Sequence, residues 1–405
     1  MNDDMPVVRT GASALPAILA GLAASLVGIG LARFAYTPLL PAMIHAQWFA
    51  ASQVAFLGAA NLAGYLIGAL SGRAMARYAS PVGVLRAMLL LASLAFVACA
   101  FPLSEAWFFA WRLMSGVAGG VIMVLVSSVV LHHVPAAQRG LASGAIFFGI
   151  GAGVAISGTL VPLVLAVSLR DTWLALGALS LLLTALSWAA WPSTAGDPPV
   201  PTLASMKRRR MPGPVRVLLA QYGLMALGVV PVMMFLVDDV SRAAGPGSSA
   251  GGVAWVAYGV GAMLGPLVYG GAADRWGARR AIRATLALQI LAVLAFALDR
   301  QPATLIALAV VLGSFPVGAV PLALNRVHEL VPEPHARQAM WSQATVSFAL
   351  AQAVGGYVYS AVYAAMGGRP ELSFWMAGAA LLIALALDLR GRDAPARQGR
   401  PCAAA

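Results

Sequence analysis

The sequence predicts an all-α membrane protein of about twelve transmembrane helices, arranged as two pseudo-symmetric six-helix bundles. Three observations support this fold class. Of the 405 residues, 60% are hydrophobic and only 10% are charged, whereas a soluble protein carries about 25% charged residues. The apolar residues form long runs, and the basic residues concentrate in every second segment between them. Sequence patterns from the first half of the chain also recur in the second half.

The apolar runs are long enough to cross a bilayer as helices, which requires about 20 mostly apolar residues. They are continuous rather than alternating, and they are rich in leucine and alanine, so membrane-spanning strands are not expected. The first run is too long for the core of a signal peptide, and we interpret it as an uncleaved helix. The predicted spans cover residues 14–40, 51–72, 82–103, 106–131, 140–166, 172–191, 214–238, 250–272, 281–298, 303–325, 338–364 and 372–389.

The distribution of basic residues predicts that both termini are cytoplasmic. The formal net charge is +12, and such a value often indicates nucleic-acid binding. Here the arginines form short clusters between apolar runs, so no nucleic-acid partner is expected. Predicted outer loops contain only Arg170, Arg242, Arg300 and Arg369, whereas nearly all other basic residues fall in the alternate segments. This bias is typical of a multi-pass protein of the inner (plasma) membrane.

A polar segment divides the chain into two halves. Residues 192–213 are rich in proline and contain the basic cluster Lys207–Arg210. They predict a cytoplasmic linker between a six-helix bundle over residues 1–191 and a second bundle, with a basic tail, over residues 214–405.

The two halves resemble each other in sequence. The pattern Gly68-x-x-x-Gly72-Arg73 matches Gly270-x-x-x-Asp274-Arg275 at an offset of 202 residues. Internal repeats of this kind are typical of transporters with a substrate site between the repeats.

One loop is specific enough to indicate a family. The segment Gly270–Arg280 resembles the G-x-x-x-D-R-x-G-x-R-R loop of the major facilitator superfamily. The first-span segment Gly28–Met43 resembles the YbfB/YjiJ-like subgroup, and Arg112-x-x-x-Gly116 resembles a further superfamily pattern in span four. The resemblance implies a transporter that is monomeric by default. No cofactor is expected, and no enzymatic activity is expected because the sequence contains no converging set of catalytic residues. The resemblance also implies the gating-loop residues Gly270, Asp274, Arg275, Gly277, Arg279 and Arg280.

The gating loop has two interpretations. Its arginines can bind helix C-terminal carbonyls or anionic lipid headgroups, and so latch the cytoplasmic side when the site faces outward. Alternatively, they only enforce the topology. In the first-half match, Gly72 stands where the aspartate is usual, which weakens the gating interpretation there.

Arg33 and Arg112 lie within predicted spans one and four. A central arginine costs at least about 2.5–3.5 kcal/mol on insertion scales. The family resemblance implies that these spans line a central cavity, where guanidinium groups match the geometry of a carboxylate. The alternative is that both arginines bind backbone carbonyls and brace the fold. No acidic residue lies near the middle of a predicted span, which favours anionic or neutral substrates over cationic ones.

Other polar residues within spans extend the candidate site, since polar side chains in lipid-embedded helices normally face the bundle interior. Many such residues only form interhelical hydrogen bonds. No catalytic or metal-binding set is predicted. The candidate substrate-binding residues are Arg33, Tyr36, Asn61, Arg112, Gln221, Trp341 and Gln352.

Glycines recur at four-residue spacing in two spans. Gly64, Gly68 and Gly72 form one stripe, and Gly116 and Gly120 form another; such stripes let helices approach closely. The pattern at residues 149–153 superficially resembles a dinucleotide-binding loop, but it lies within an apolar run, and we reject that function.

These features predict a secondary active or facilitative transporter of a small organic solute, anionic or neutral, that works by alternating access. Its expected partners are this small molecule, membrane lipid and, if transport is proton-coupled, protons. The alternatives are a transport-inactive sensor or assembly protein with the same fold, and a drug-efflux carrier.

Overall fold

The computed structural model describes residues 14–135, 138–193, 213–245, 247–331 and 333–390. These residues form twelve long helices and no strands. The predicted linker cluster Lys207–Arg210 lies outside the described residues. The helices are α1 (Leu15–His45), α2 (Ala51–Tyr78), α3 (Pro81–Cys99), α4 (Glu105–His132), α5 (Arg139–Leu165), α6 (Leu169–Ser187), α7 (Gly213–Ala244), α8 (Ala250–Trp276), α9 (Ala278–Leu298), α10 (Pro302–Leu330), α11 (Pro334–Ala365) and α12 (Glu371–Arg390).

The predicted fold class is confirmed. Eleven of the described helices are long and apolar enough to cross a membrane. The remaining helix, α11, has 32 residues but carries polar side chains such as Ser342, Gln343 and Gln352. Its polarity follows from its position, because α11 packs against α2 and α7 and faces a central cavity.

Helix α1 contains a wider turn immediately before Arg33. Residues Leu26–Leu31 form a π-helix between two α-helical segments. Such segments are rare and are frequently found at functional sites. Here the turn lies close to two neighbouring helices: a Cβ on Gly28 would clash with Ile122 of α4, and one on Gly30 would lie 2.9 Å from Cα of Gly153 in α5. The π-helix changes the helical phase of the residues that follow it.

Glycine contacts show the pseudo-symmetry of the two bundles. In the first bundle, a Cβ on Gly64 of α2 would lie 2.0 Å from the carbonyl oxygen of Leu113 in α4. In the second, a Cβ on Gly261 of α8 would lie 2.0 Å from the carbonyl oxygen of Val310 in α10. The pairs α2–α4 and α8–α10 therefore pack alike, with their backbones in contact.

These contacts also define the repeat register. The equivalent glycines Gly64 and Gly261 are separated by 197 residues, so the predicted offset of 202 is wrong for this helix pair. Glycine recurs every four residues along these helices, so a single match does not fix the register. The offset of 197 is preferred because it also relates Gly68 to Gly265 and Gly116 to Gly313, and an added Cβ on each of these four glycines would lie 2.0–2.2 Å from a backbone carbonyl oxygen of the partner helix. In the contact register, Arg73 of α2 is equivalent to Gly270 of α8, and not to Arg275.

The two bundles meet along a seam between α5 and α8. A Cβ on Gly151 would lie 2.5 Å from the amide nitrogen of Met263, and one on Gly259 would lie 2.5 Å from the amide nitrogen of Ala155. The segment that resembles a dinucleotide-binding loop is therefore a surface for helix packing. We call this α5–α8 contact the glycine seam.

Candidate functional site

A cavity of about 400 Å³ lies between the two bundles. Its lining includes side chains from α1, α2, α4, α5, α7, α10 and α11. It extends from the middle of the bundle towards the predicted cytoplasmic ends of the helices. Its polar and aromatic lining comprises Arg33, Phe34, Tyr65, Arg73, Ser127, Ser128, Ser143, Phe147, Tyr222, Trp341, Ser342, Thr345, Phe348 and Gln352.

The predicted outer side of the cavity is closed by contacts between α1, α2 and α7. The hydroxyl of Thr37 donates a hydrogen bond to the carbonyl oxygen of Met233, with a distance of 2.5 Å. The neighbouring Met234 packs against Gly58 of α2. Because Thr37 and Met233 belong to different bundles, this bond joins the two halves of the protein, and the cavity faces the predicted cytoplasmic side.

Arg33 lies at the closed end of the cavity. Its Nη2 donates to Oε1 of Gln352 across 2.7 Å, which links α1 to α11. The guanidinium also lies over the ring of Tyr65, 5.0 Å from its centroid. Its buried Nε–H has no hydrogen-bond partner. Arg33 thus presents a positive charge that is contacted by an amide and an aromatic ring.

The cavity walls around this charge are largely aromatic. The rings of Tyr222 and Phe348 lie 4.5 Å apart between their centroids, and Trp341 lies 6.2 Å from Tyr222. These residues belong to α7 and α11 and form one side of the cavity. A ligand in this cavity would contact the positive charge of Arg33 at one end and the apolar and aromatic wall along its length. Hydroxyl groups such as those of Ser127 and Thr345 also line the cavity.

Arg112 occupies a different position from Arg33. It is only 2% exposed, its Nη1 donates to the carbonyl oxygen of Ala32 across 3.1 Å, and its guanidinium lies 4.4 Å from the ring centroid of Tyr36. Asn61 and Ser115 also donate to the carbonyl oxygen of Ala32. Arg112 therefore braces α1 against α4, as in the second of the two interpretations made from the sequence.

Tyr36 and Asn61 lie with Arg112 around a small void rather than in the large cavity. This void has a volume of about 20 Å³, enough for a single water molecule. The hydroxyl of Tyr36 donates to the carbonyl oxygen of Val54 across 2.6 Å. Arg33 lines both the void and the large cavity, so it is the side chain that connects them.

Gln221 is the predicted site residue that lines neither the large cavity nor the small void. Its amide donates to the carbonyl oxygen of Ala384 in α12 across 3.3 Å. It lines a separate cavity of about 560 Å³ with Arg216 and Asp388. The large central cavity therefore brings together Arg33, Trp341 and Gln352 from the predicted set, and not Gln221.

Arg73 is a cavity residue that the sequence interpretation missed. It was assigned to the cytoplasmic charge bias, but its side chain is partly buried, lines the cavity and donates to the hydroxyl of Ser342 across 3.5 Å. Its spacing offers a signal, because Tyr65, Ala69 and Arg73 all line the cavity and recur at the four-residue interval of one helix face.

The gating loop connects α8 to α9 through Gly277, whose positive φ of 81° favours glycine. Arg279 lies 3.4 Å from the carboxylate of Asp388 in α12, and the amide of Ala278 donates to Glu329 across 2.7 Å. These described contacts stay within the second bundle, while Asp274 is exposed. In this arrangement the described contacts anchor the loop to its own bundle.

Comparisons with known proteins agree with the geometry. A family model described as uncharacterised MFS-type transporter YbfB matches residues 25–389. No curated protein is significantly similar to the chain in sequence. The fold is similar to that of a bacterial homologue of the human lysosomal transporter Spinster in an inward-facing and occupied conformation, with a TM-score of 0.70 and 15% identity over 95% of this chain and 100% of that chain.

The fold is also similar to that of a mutant of the nucleoside transporter NupG. The TM-score is 0.71 and the identity is 15%, over 93% of this chain and 98% of that chain. At this identity both likenesses concern the fold alone.

Proposed function

This chain belongs to the family of MFS-type transporters represented by YbfB, and on that premise we propose that it carries a small organic anion across the inner membrane by alternating access. The substrate binds in the central cavity with its anionic group at Arg33. Transport is secondary active or facilitative, and the protein performs no chemical reaction on its cargo.

The observation that carries this proposal is the charge of the cavity. Arg33 and Arg73 are the charged residues among its described lining, which contains no aspartate or glutamate. A cation would therefore meet two positive charges and no counter-charge. An anion would neutralise Arg33, and it would supply an acceptor for the buried Nε–H. An unsatisfied buried donor of this kind costs about 1–3 kcal/mol.

Guanidinium geometry favours a carboxylate or phosphate as the anionic group. Two parallel N–H groups of an arginine bind two oxygens of such an anion at once. Nη2 of Arg33 already donates to Gln352, which holds the guanidinium in place between the two bundles. A bound anion would thus contact α1 directly and α11 through Gln352, and so sense both halves of the carrier.

The proposed transport cycle begins from the state in which the outer side of the cavity is closed. To expose Arg33 to the outside, the hydrogen bond between Thr37 and Met233 must break while the cytoplasmic ends of the bundles come together. We propose that the gating loop, with Asp274 and Arg275 exposed in the inward-facing state, contacts the first bundle only after this closure. The bundles of residues 1–191 and 214–405 then move as two units that the predicted linker at residues 192–213 joins in sequence.

The remaining assignments are part of the same proposal. The protein is a monomer with both termini cytoplasmic, and it is surrounded by membrane lipid. The buried carboxylates of Asp238 and Asp239 lie at the predicted outer end of α7, where they pair with Arg242 and Arg300. Neither of them lines the central cavity, so proton coupling through these carboxylates would act outside the substrate site.

A thermal-shift screen of the purified protein tests the anion site. The panel contains benzoate, citrate, inorganic phosphate and glucose 6-phosphate as sodium salts, with choline and spermidine as cationic comparisons. An anion at a hundred times its dissociation constant should stabilise the protein by about 2.7 kcal/mol. Arg33→Gln should abolish this stabilisation, and Arg33→Lys should retain part of it.

Arg77→Gln is the matched control, because Arg77 lies on α2, is exposed and is not among the described cavity residues. It should leave the anion effect unchanged. Equal stabilisation by choline or spermidine would contradict the proposal. So would an anion effect that survives Arg33→Gln at full strength.

A further inference from the structure

Arg73 is an arginine without an equivalent in the other bundle. The contact register of α2 and α8 places Gly270 at the corresponding position. The repeat therefore does not explain Arg73, and topology alone does not require its side chain to face the cavity. Its nearby exposed neighbour Arg77 already supplies a cytoplasmic positive charge on the same helix.

The position of Arg73 relative to Arg33 can be measured along two helices. Arg33 lies over Tyr65, and Arg73 is eight residues further along α2, which corresponds to roughly 12 Å of helix. On α11, Gln352 binds Arg33 and Ser342 binds Arg73; these ten residues correspond to roughly 15 Å. The two guanidinium groups thus lie at opposite ends of the cavity, with Arg73 near its cytoplasmic mouth.

The hydrogen bond that Arg73 makes is weak. Its hydrogen bond to Ser342 is 3.5 Å long, at the outer limit for such a bond. No carboxylate among the described residues is within ion-pair distance of Arg73, and none lines the cavity. The guanidinium tolerates this arrangement because the Arg73 side chain is only partly buried, so water still reaches the charge.

Closing the mouth changes this situation. Arg73 on α2 and Ser342 on α11 belong to different bundles and already touch through one long hydrogen bond, so a tighter approach of these helix ends removes the water that still reaches the guanidinium. Burying a charge without a counter-charge is strongly unfavourable. An anion that enters the closing cavity supplies the missing counter-charge, and Ser342 cannot supply it.

We propose that Arg73 is a second anion contact of the transport cavity, and that its charge keeps the anion-free protein from closing its cytoplasmic mouth. The protein then exchanges one anion for another, because only a loaded cavity closes readily. This inference rests on the proposed function for the identity of the counter-charge, whereas the effect of the Arg73 charge on closure is measured without any substrate.

The test follows the opening of the outer side with a cysteine reporter. Leu40 of α1 is 1% exposed and lines the small void beneath the outer closure, so a cysteine there reacts only when the outer side opens. The reporter Leu40→Cys is combined with Cys99→Ala and Cys402→Ala in the full chain. The protein is placed in lipid nanodiscs without organic anions, and its reaction with a hydrophilic maleimide is timed.

Arg73→Gln should accelerate this labelling about tenfold, which corresponds to about 1.4 kcal/mol in the conformational equilibrium. Arg73→Lys keeps the charge and should label at the rate of the protein with Arg73. Arg77→Gln is the matched charge control and should also leave the rate unchanged. Equal acceleration by Arg73→Lys and Arg73→Gln, or no acceleration by Arg73→Gln, would overturn the inference.

Two further measurements distinguish the charge of Arg73 from its hydrogen bond, and anion binding at Arg73 from anion binding at Arg33 alone. Ser342→Ala should change labelling less than Arg73→Gln does; an equal effect would make the hydrogen bond, and not the charge, the controlling feature. Panel anions that stabilise the protein through Arg33 should accelerate labelling when Arg73 is present. If they stabilise the protein but leave that rate unchanged, Arg73 is not an anion contact. If no panel anion stabilises the protein, the proposed function fails, while the Arg73→Gln rate still decides the closure mechanism.

Discussion

Replacing Gly116 with alanine should destabilise the first bundle by forcing α2 and α4 apart. A Cβ at this position would lie 2.0 Å from the carbonyl oxygen of Asn61, whereas ordinary van der Waals contact begins at 3.4 Å. The backbones must therefore separate by about 1.4 Å, the difference between these two distances. The obstacle is backbone and not a flexible side chain, so no rotamer change relieves it.

The magnitude combines two effects. Overpacking a well-packed core typically costs about 1–3 kcal/mol. The shift also lengthens the hydrogen bonds that join Asn61 and Arg112 to Ala32, and interhelical hydrogen bonds in membranes contribute about 0.6 kcal/mol each. We expect a loss of about 2–4 kcal/mol, which for a chain of this size corresponds to a fall in Tm of roughly 2–5 °C.

The assay is thermal unfolding in detergent, followed by tryptophan fluorescence. Gly144→Ala on α5 is the matched control, because a Cβ there meets nothing within 4 Å. Its Tm should stay level or rise slightly, since alanine favours helix over glycine by about 1 kcal/mol. Indistinguishable Tm values for the two variants would refute the conclusion that α2 and α4 touch through their backbones.

Two other substitutions test the closed outer side and the second bundle. Thr37→Val removes the hydrogen bond to Met233, which contributes about 0.5–1.5 kcal/mol. This variant should raise the maleimide labelling rate of the Leu40→Cys reporter by up to about tenfold. An unchanged labelling rate would show that this hydrogen bond does not keep the outer side closed. Asp388→Asn leaves Arg283 without the carboxylate it contacts at 2.5 Å. It should lower the Tm by roughly 1–4 °C through a loss of about 1–3 kcal/mol, less than for a fully buried pair because Arg283 is partly exposed. A variant as stable as the parent protein would contradict this.

The number and location of the helices were predictable because a bilayer demands a long apolar run for each crossing. The same reasoning explains why α11 was included despite its polar residues. Helix α11 is long enough for a span, although it is not among the eleven described helices that are apolar enough by composition; Ser342 and Gln352 face a cavity rather than lipid. Lengths and positions of helices follow from this one requirement, and it acts on every residue of a span.

The directions in which side chains face were harder to predict from the sequence than the positions of the helices. Tyr36 was expected among the substrate-binding residues, yet its hydroxyl bonds to Val54 and it lines the small void rather than the large cavity. The π-helix that precedes Arg33 and Tyr36 has no sequence signature that periodicity detects, and it turns both residues relative to the first part of α1. Gln221 was expected in the cavity because it is polar, but a carbonyl group of α12 satisfies its amide.

Arg73 shows a different limit of prediction from sequence. An arginine near the end of a span satisfies the positive-inside rule wherever its side chain points. Whether it faces lipid, water or a cavity depends on the helix opposite, and α11 comes opposite α2 only in the folded protein. The repeat register had the same weakness, because glycine matches in sequence do not say which glycines touch another backbone.

The glycine seam has a consequence for how the motion of this carrier should be observed. Where α5 and α8 touch through their main chains, the two bundles have little freedom to slide or separate. In the proposed cycle the rotation axis of the bundles therefore lies along the glycine seam, and residues close to this axis are displaced least. Spectroscopic probes on the middle of α5 and α8 should therefore stay almost silent through the cycle, and probe pairs near the far tips of α2 and α11 should record the largest change in distance.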